Sequence, residues 1–440
     1  MTLKYFITFA FMFSAATQLV AQSLPDAITD DEYFAVDARE AALGQLLFYD
    51  PILSGNKTVA CATCHHPDFG TSDGVSLSVG DGGTGLGPAR RVDPNNPPVQ
   101  SIPRNSPALF NLGARSFTVL FHDGRLEASA DFEGGVRSPL DADMMQGFAS
   151  VLSAQTMFPV LSRDEMAGSY DENKIGLAVR QGLVTGEGGA WDLLSHRVGA
   201  VPEYAALFQD VYPHIDNSED IAFTDISNAI AAFIALEWRS DAARFDDVLR
   251  GTARFEGIEQ RGMALFYGSA GCAACHSGPF LTDHDFHAMG APQIGPGKSA
   301  TFEEHQRDDG RFRVTGRTED RYAFRTPSLR NVAKTAPYGH AGAHKDLAAF
   351  IAAHANPEAG LKNYDPEQAV LVHRTNKDFL VMNDAEQVKA IARAVGVAPV
   401  NLSRADIDAL VAFLNTLTDP AAIAGRMGVP DAVPSGLPVP

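Results

Sequence analysis

The sequence predicts an all-α protein built from two tandem, cytochrome-c-like domains with long loops, and three observations carry that prediction. All four cysteines fall in two copies of one short motif, Cys61-Ala62-Thr63-Cys64-His65 and Cys272-Ala273-Ala274-Cys275-His276. A second pattern follows each copy in the same order. SPALFN from Ser106 to Asn111 precedes His122-Asp123-Gly124, and TPSLRN from Thr326 to Asn331 precedes His340-Ala341-Gly342. Two copies of so long a unit indicate duplicated domains rather than a solenoid. Finally, apolar residues recur at helical spacing in several stretches, whereas strand-like alternation is scarce.

In chain order, residues 1–21 read as a signal peptide. Lys4 gives a positive start, Tyr5 to Val20 is mostly apolar, and Ala21 offers a small residue at a cleavage point before Gln22-Ser23. The apolar run is too short to span a bilayer, and no stop-transfer segment follows. Residues 22–215 form the expected first domain and 216–418 the second, since about 420 mature residues exceed what one core organises.

Each C-x-x-C-H is the attachment sequence of a c-type haem. Two thiols on one helical turn add to the two vinyl groups of a porphyrin, and the adjacent histidine then lies under the iron. His65 and His276 are therefore the candidate proximal ligands. Disulfides or a shared zinc site are the competing readings. Neither pair sits in a thioredoxin-like βαβ pattern, and zinc does not account for a histidine after each pair. Covalent haem attachment takes place on the exported side of a bacterial inner membrane, so the expected location is the periplasm.

The stretches 70–98 and 277–318 are rich in Gly, Pro, Asp and Ser and read as loops around each haem. Helices are expected over 221–249, 346–354, 386–395 and 404–417. The Pro/Gly-rich tail, 419–440, is expected to wrap the surface or to move freely. Trp191 and Trp238 read as packing residues. The formal charge of −19 argues against nucleic acid or anionic membrane as a partner and leaves room for a basic or apolar redox protein.

The order CATCH, RNSPALFN, FHDGR, CAACH, FRTPSLRNVAKTAPYGHAG resembles the bacterial dihaem cytochrome c peroxidases and their MauG-like relatives, from about Ala41 to Leu417. The resemblance implies a C-terminal haem that takes up electrons and an N-terminal haem that meets peroxide. It also implies a calcium ion between the domains, aligned with Asn105 and the carbonyls of Arg325 and Pro327, and it allows a homodimer. In the family the second ligand of the C-terminal haem is usually a methionine fourteen residues beyond the histidine of P-Y-x-H. Here that position is His354, counting from His340. Some relatives carry a removable histidine after the first motif, where this chain has Asp81. His66 is too close to His65 to reach the opposite face, so the first iron is expected to be open.

An open iron needs a distal acid–base group. Alignment with the family's N-P-x-E places Asp141 there, with Glu133 and Asp131 as alternatives. His122 stands where relatives often have an inter-haem tryptophan, which makes hopping through this side chain doubtful. Arg125 is left to pair with a propionate or an internal carboxylate. The expected function is a periplasmic peroxidase that reduces H2O2 with electrons from a small cytochrome or cupredoxin. The alternatives are a MauG-like oxidase of a partner protein and a non-catalytic dihaem electron carrier.

Overall fold

The computed structural model describes residues 22–215, 220–298, 303 and 305–440, so the expected signal peptide and residue 216 at the expected boundary lie outside them. The described chain is mostly helical. Strict all-α is corrected in one respect: three small antiparallel sheets occur, with strands of two or three residues. They brace loop ends rather than form a layer, which is why no alternation betrays them.

Two large hydrophobic cores, with two small satellite clusters, organise the described residues. The first is built around helix Ala38–Tyr49, capped by Asp37, and the long helix Phe223–Glu237. It therefore extends past residue 215 and includes Trp191 and Trp238, both fully buried. The Trp191 indole donates to the Met157 carbonyl at 2.9 Å and stacks on Phe223. The second core joins helix Gly257–Phe266 to helix Arg404–Asn415, with Phe245, Phe255, Phe266, Tyr267 and Phe413 in mutual ring contact.

The same helix crossing is made twice. Gly44 lies against the Ala229 carbonyl and the Phe233 Cβ, and Gly262 lies against the Ala409 carbonyl and the Phe413 Cβ. A methyl group at either glycine would overlap backbone, so each pair can approach this closely only with glycine at the crossing.

The expected helix over 221–249 forms as two, Phe223–Glu237 and Arg244–Leu249. Those expected over 346–354, 386–395 and 404–417 form as Leu347–Ala355, Ala385–Ala394 and Arg404–Asn415. The tail does wrap the surface. Three tail N–H groups, of Arg426, Met427 and Gly428, donate to the buried Glu237 carboxylate, and Ser435 donates to Asp50 at 2.7 Å. This anchors the tail on the first core.

Candidate functional site

Each C-x-x-C-H forms a single tight turn that presents its histidine in the same way. The His65 Nδ1 donates to the Thr71 carbonyl at 3.0 Å, and the His276 Nδ1 donates to the Leu281 carbonyl at 3.1 Å. Thr71 and Leu281 both adopt positive φ, 62° and 56°, which turns these carbonyls toward the rings. With Nδ1 engaged, Nε2 is left as the free lone pair, the usual arrangement of a metal-binding imidazole. Burial lowers both histidine pKa values and so favours this neutral form.

The S/T-P-x-L-x-N segments lock these turns in place. Ser72 donates to the Ser106 carbonyl and Thr282 to the Thr326 carbonyl, both at 2.7 Å. Asn111 and Asn331, at φ 61° and 62°, receive equivalent roles at the ends of the core helices. The Asn111 N–H donates to the Trp238 carbonyl, and the Asn331 N–H to that of Leu417. Both side chains then meet at Ser240, with the Asn111 amide on its carbonyl and the Asn331 amide on its hydroxyl, each at 2.9 Å.

The two sites differ on their second face. The His276 and His354 rings lie 6.4 Å apart between centroids, at 47°. Two metal–imidazole bonds of about 2 Å, plus the two half-rings, span roughly 6 Å, so one iron fits between them. His65 has no such ring contact among the described residues. Asp81 does not face it freely either: its carboxylate accepts from Asn56 and from Thr58 Oγ1 at 3.1–3.2 Å.

No disulfide joins any of the four cysteines. Among the described residues the one cluster of three or more metal-ligating side chains is Cys275, Asp283 and His287, so the four cysteines do not converge on a zinc site. Cys61, Cys64, His65, Cys272, His276 and His354 share a further property. Each of them is partly buried, neither sealed in a core nor fully exposed. Paired thiols beside an imidazole whose Nε2 is left free fit a haem at each motif.

Between the halves lies a buried ionic cluster. Arg104 bonds both Asp308 oxygens, at 2.6 and 2.8 Å, and Asp123 at 2.8 Å. Burial works against these carboxylates, but Arg104 outweighs it and holds both below the usual range. Arg125 takes the internal-carboxylate option, 3.5 Å from Asp123, with its guanidinium 3.8 Å over the Phe121 ring. The His122 Nε2 donates to the Asn105 carbonyl at 3.2 Å. Burial, then Arg104 and His340, lower its pKa to about 3, so it stays neutral.

The candidate calcium residues are neighbours in this region, since the Arg325 N–H donates to the His122 carbonyl. The Asn105 amide itself donates to the Val75 carbonyl at 2.8 Å. Asp131, Glu133 and Asp141 are brought to no such cluster. All three are exposed, Asp131 and Glu133 in the hairpin between strands Leu126–Ala128 and Val136–Arg137, and Asp141 in a turn at φ 45°.

Two C-x-x-C-H turns, each holding its histidine through Nδ1, define a chain with two c-type haem motifs. The chain belongs to the di-haem cytochrome c peroxidase family, whose model matches residues 38–254. It is 30% identical over 331 residues to a methylamine utilization protein MauG of Methylorubrum extorquens, covering 74% of this chain and 71% of that one. It is 28% identical over 338 residues to a cytochrome c551 peroxidase of Pseudomonas aeruginosa, covering 77% and 78%. Among solved structures, a MauG-like protein associated with microbial copper homeostasis superposes with a TM-score of 0.56 at 26% identity, covering 94% of this chain and 97% of that one. A variant of the diheme peroxidase BthA from Burkholderia thailandensis shares the fold, with a TM-score of 0.59 at 22% identity and 96% of each chain covered. The chain is thus an oxidoreductase of the cytochrome c peroxidase type. Among the described residues no helix is long and apolar enough to cross a membrane.

Proposed function

We propose that this protein is a periplasmic peroxidase that reduces H2O2 to water with electrons from a small cytochrome or cupredoxin. The observation that carries the reading is the asymmetry of the two histidine sites. His276 faces His354 across 6.4 Å, whereas no imidazole faces His65 among the described residues. Each haem supplies a one-electron iron couple, and only an iron with an open face takes peroxide.

Cys61, Cys64 and His65 hold the first haem as the peroxide site, in a domain that begins near residue 22. Cys272, Cys275, His276 and His354 hold the second, as the point of electron entry, in a tandem cytochrome-c-like domain. Asp81, bound by Asn56 and Thr58, leaves the first site uncapped. A calcium ion at Asn105, Arg325 and Pro327 belongs to the same reading.

The likeness to MauG proteins supports a second reading, oxidation of residues on a partner protein. His122 favours the peroxidase, because a neutral imidazole is a poor hole carrier between sites. Steady-state turnover separates the two. The peroxidase consumes H2O2 in step with oxidation of a reduced cytochrome or cupredoxin. Failure to oxidise any such donor, together with peroxide-dependent oxidation of a protein encoded beside it, would reverse the assignment.

A further inference from the structure

The two C-x-x-C-H turns are followed by one and the same frame, which is sealed in the first half and open in the second. Thr71, Ser72 and Asp73 after the first turn correspond to Leu281, Thr282 and Asp283 after the second. The first residue of each trio gives its carbonyl to the histidine Nδ1, and the second donates to the S/T-P segment. Each aspartate then accepts from the N–H two positions on, that of Val75 at 3.2 Å and that of Asp285 at 2.9 Å. Asp73 takes a further bond from the Ser78 hydroxyl, and Asp283 takes one from the His287 Nε2 at 2.9 Å.

In the first half this frame is shut off from solvent: Thr63, His66, Asp73, Val75 and Ser78 are all buried. In the second, Ala274 holds the place of Thr63 and is exposed, and Ser277 holds that of His66 and is half-buried. The place of Val75 is taken by Asp285, which is exposed. Gly278 beside the turn is exposed as well, at φ 67°, and a Cβ there would meet nothing within 4 Å. Asp285 has a fixed backbone, since its carbonyl accepts from the Thr326 N–H at 2.8 Å. The sulfur of Cys275, a carboxylate oxygen of Asp283 and a ring nitrogen of His287 lie within 4.8 Å of one another. The open frame therefore sits directly against a thiol of the second haem motif.

We infer that the second C-x-x-C-H turn is the docking face for the electron donor, and that the donor is a redox protein with a basic rim around its own exposed centre. The inference rests on the second haem being the point of electron entry. Electron tunnelling falls steeply with distance, so a donor must come close, and of the two turns only the second presents small residues with open space outside them. Ala274 and Gly278 permit the approach, Asp283 and Asp285 supply the charge that selects lysine or arginine, and His287 holds Asp283 in place. The formal charge of −19 draws a cationic protein in from a distance, and the two aspartates fix where it settles. An apolar or acidic rim fits poorly, because it would cover these carboxylates without pairing them. Each encounter moves one electron, oxidising the donor's metal and reducing the iron held at His276 and His354.

The test uses the protein loaded with both haems and three reductants: a lysine-rimmed mitochondrial-type cytochrome c, an acidic cytochrome, and neutral hydroquinone. Binding of the oxidised basic cytochrome to the resting protein is measured by calorimetry, and kcat/KM for each reductant at saturating H2O2. Asp285→Lys reverses the charge at the face, and Glu187→Lys makes the same change at an exposed site of the first half. At low salt Asp285→Lys should weaken binding of the basic cytochrome and lower its kcat/KM, each by about tenfold or more. It should raise kcat/KM for the acidic cytochrome and leave hydroquinone turnover and the haem spectra as in the parent. Added salt should close the gap. Asp285→Asn should show a smaller effect of the same sign, and Glu187→Lys should follow the parent. Parent-like binding in Asp285→Lys, an equal loss in Glu187→Lys, or a loss shared by hydroquinone would overturn the docking face. A parent that oxidises none of the three reductants with H2O2 would instead refute the peroxidase reading, and the calorimetry would still judge the face.

Discussion

Replacing Arg104 with methionine removes the single cation that two buried carboxylates from different halves share. Asp308 loses both charge-assisted bonds and keeps one backbone donor, the Gly310 N–H at 3.0 Å. Asp123 fares better, because Arg125 remains 3.5 Å away. The cost is therefore essentially that of one orphaned buried carboxylate, about 3–5 kcal/mol. For a chain of this size that corresponds to a fall in melting temperature of roughly 3–6 °C.

The pH dependence gives a second signature. In the parent, both carboxylates have folded pKa values below the unfolded value of about 3.9, so their stabilisation is complete above that pH and fades only in acid. In the variant, burial without a counter-charge raises the Asp308 pKa, and stability is lost as pH rises through it. The gap between parent and variant should thus be widest near neutrality and close toward pH 4. Thermal unfolding followed by circular dichroism and by the Soret band, from pH 4 to 8, measures this. Asp308→Asn in the Arg104→Met background should recover part of the loss, with a coupling of about 0.5–3 kcal/mol. A variant melting with the parent at pH 7, or a gap independent of pH, would refute the account.

Other expectations follow from the two haem sites. The His354→Met variant should keep a low-spin second haem with a raised reduction potential and a new sulfur-to-iron absorption band. An unchanged spectrum and potential would reduce His354 to a helix residue. Mass spectrometry of denatured protein should find two haem additions on a chain beginning near Gln22, and replacing Cys61 and Cys64 together should remove one of them. Exhaustive chelation should lower thermal stability and activity if calcium sits at Asn105, Arg325 and Pro327, since carbonyl and amide oxygens suit a hard cation. Unaltered melting and turnover would exclude the ion.

Much of the architecture was legible because covalent chemistry and close packing leave compact marks. Two C-x-x-C-H turns and two S/T-P-x-L-x-N segments are short motifs whose residues act within a few positions of one another. What they do became visible only in three dimensions. Asn111 and Asn331 read as the ends of a motif, yet both adopt positive φ and converge on Ser240, far from either in sequence. Gly44 and Gly262 carried no signal at all, because a glycine that permits a helix crossing looks like any other until its partner is known. The tail was hard to read for the opposite reason. Its Pro/Gly content describes its backbone, whereas its course is set by the buried Glu237 carboxylate, to which three successive N–H groups donate.

The site divides along the same line. Axial histidines and haem cysteines are tied to motifs by bond lengths, so counting residues can propose them; the His276–His354 separation has the span one iron requires. Proton-handling groups obey no such spacing, since a carboxylate can reach a haem face from any segment that passes it. Alignment puts this role on Asp141, and the fold puts Asp141 in an exposed turn. His122 makes the same point from the other side. The position is kept, but tryptophan chemistry is replaced by a neutral imidazole that ties the Asn105 carbonyl to the strand at Arg325. A residue in that role serves the register between the two halves, which the Arg104–Asp308 pair also holds.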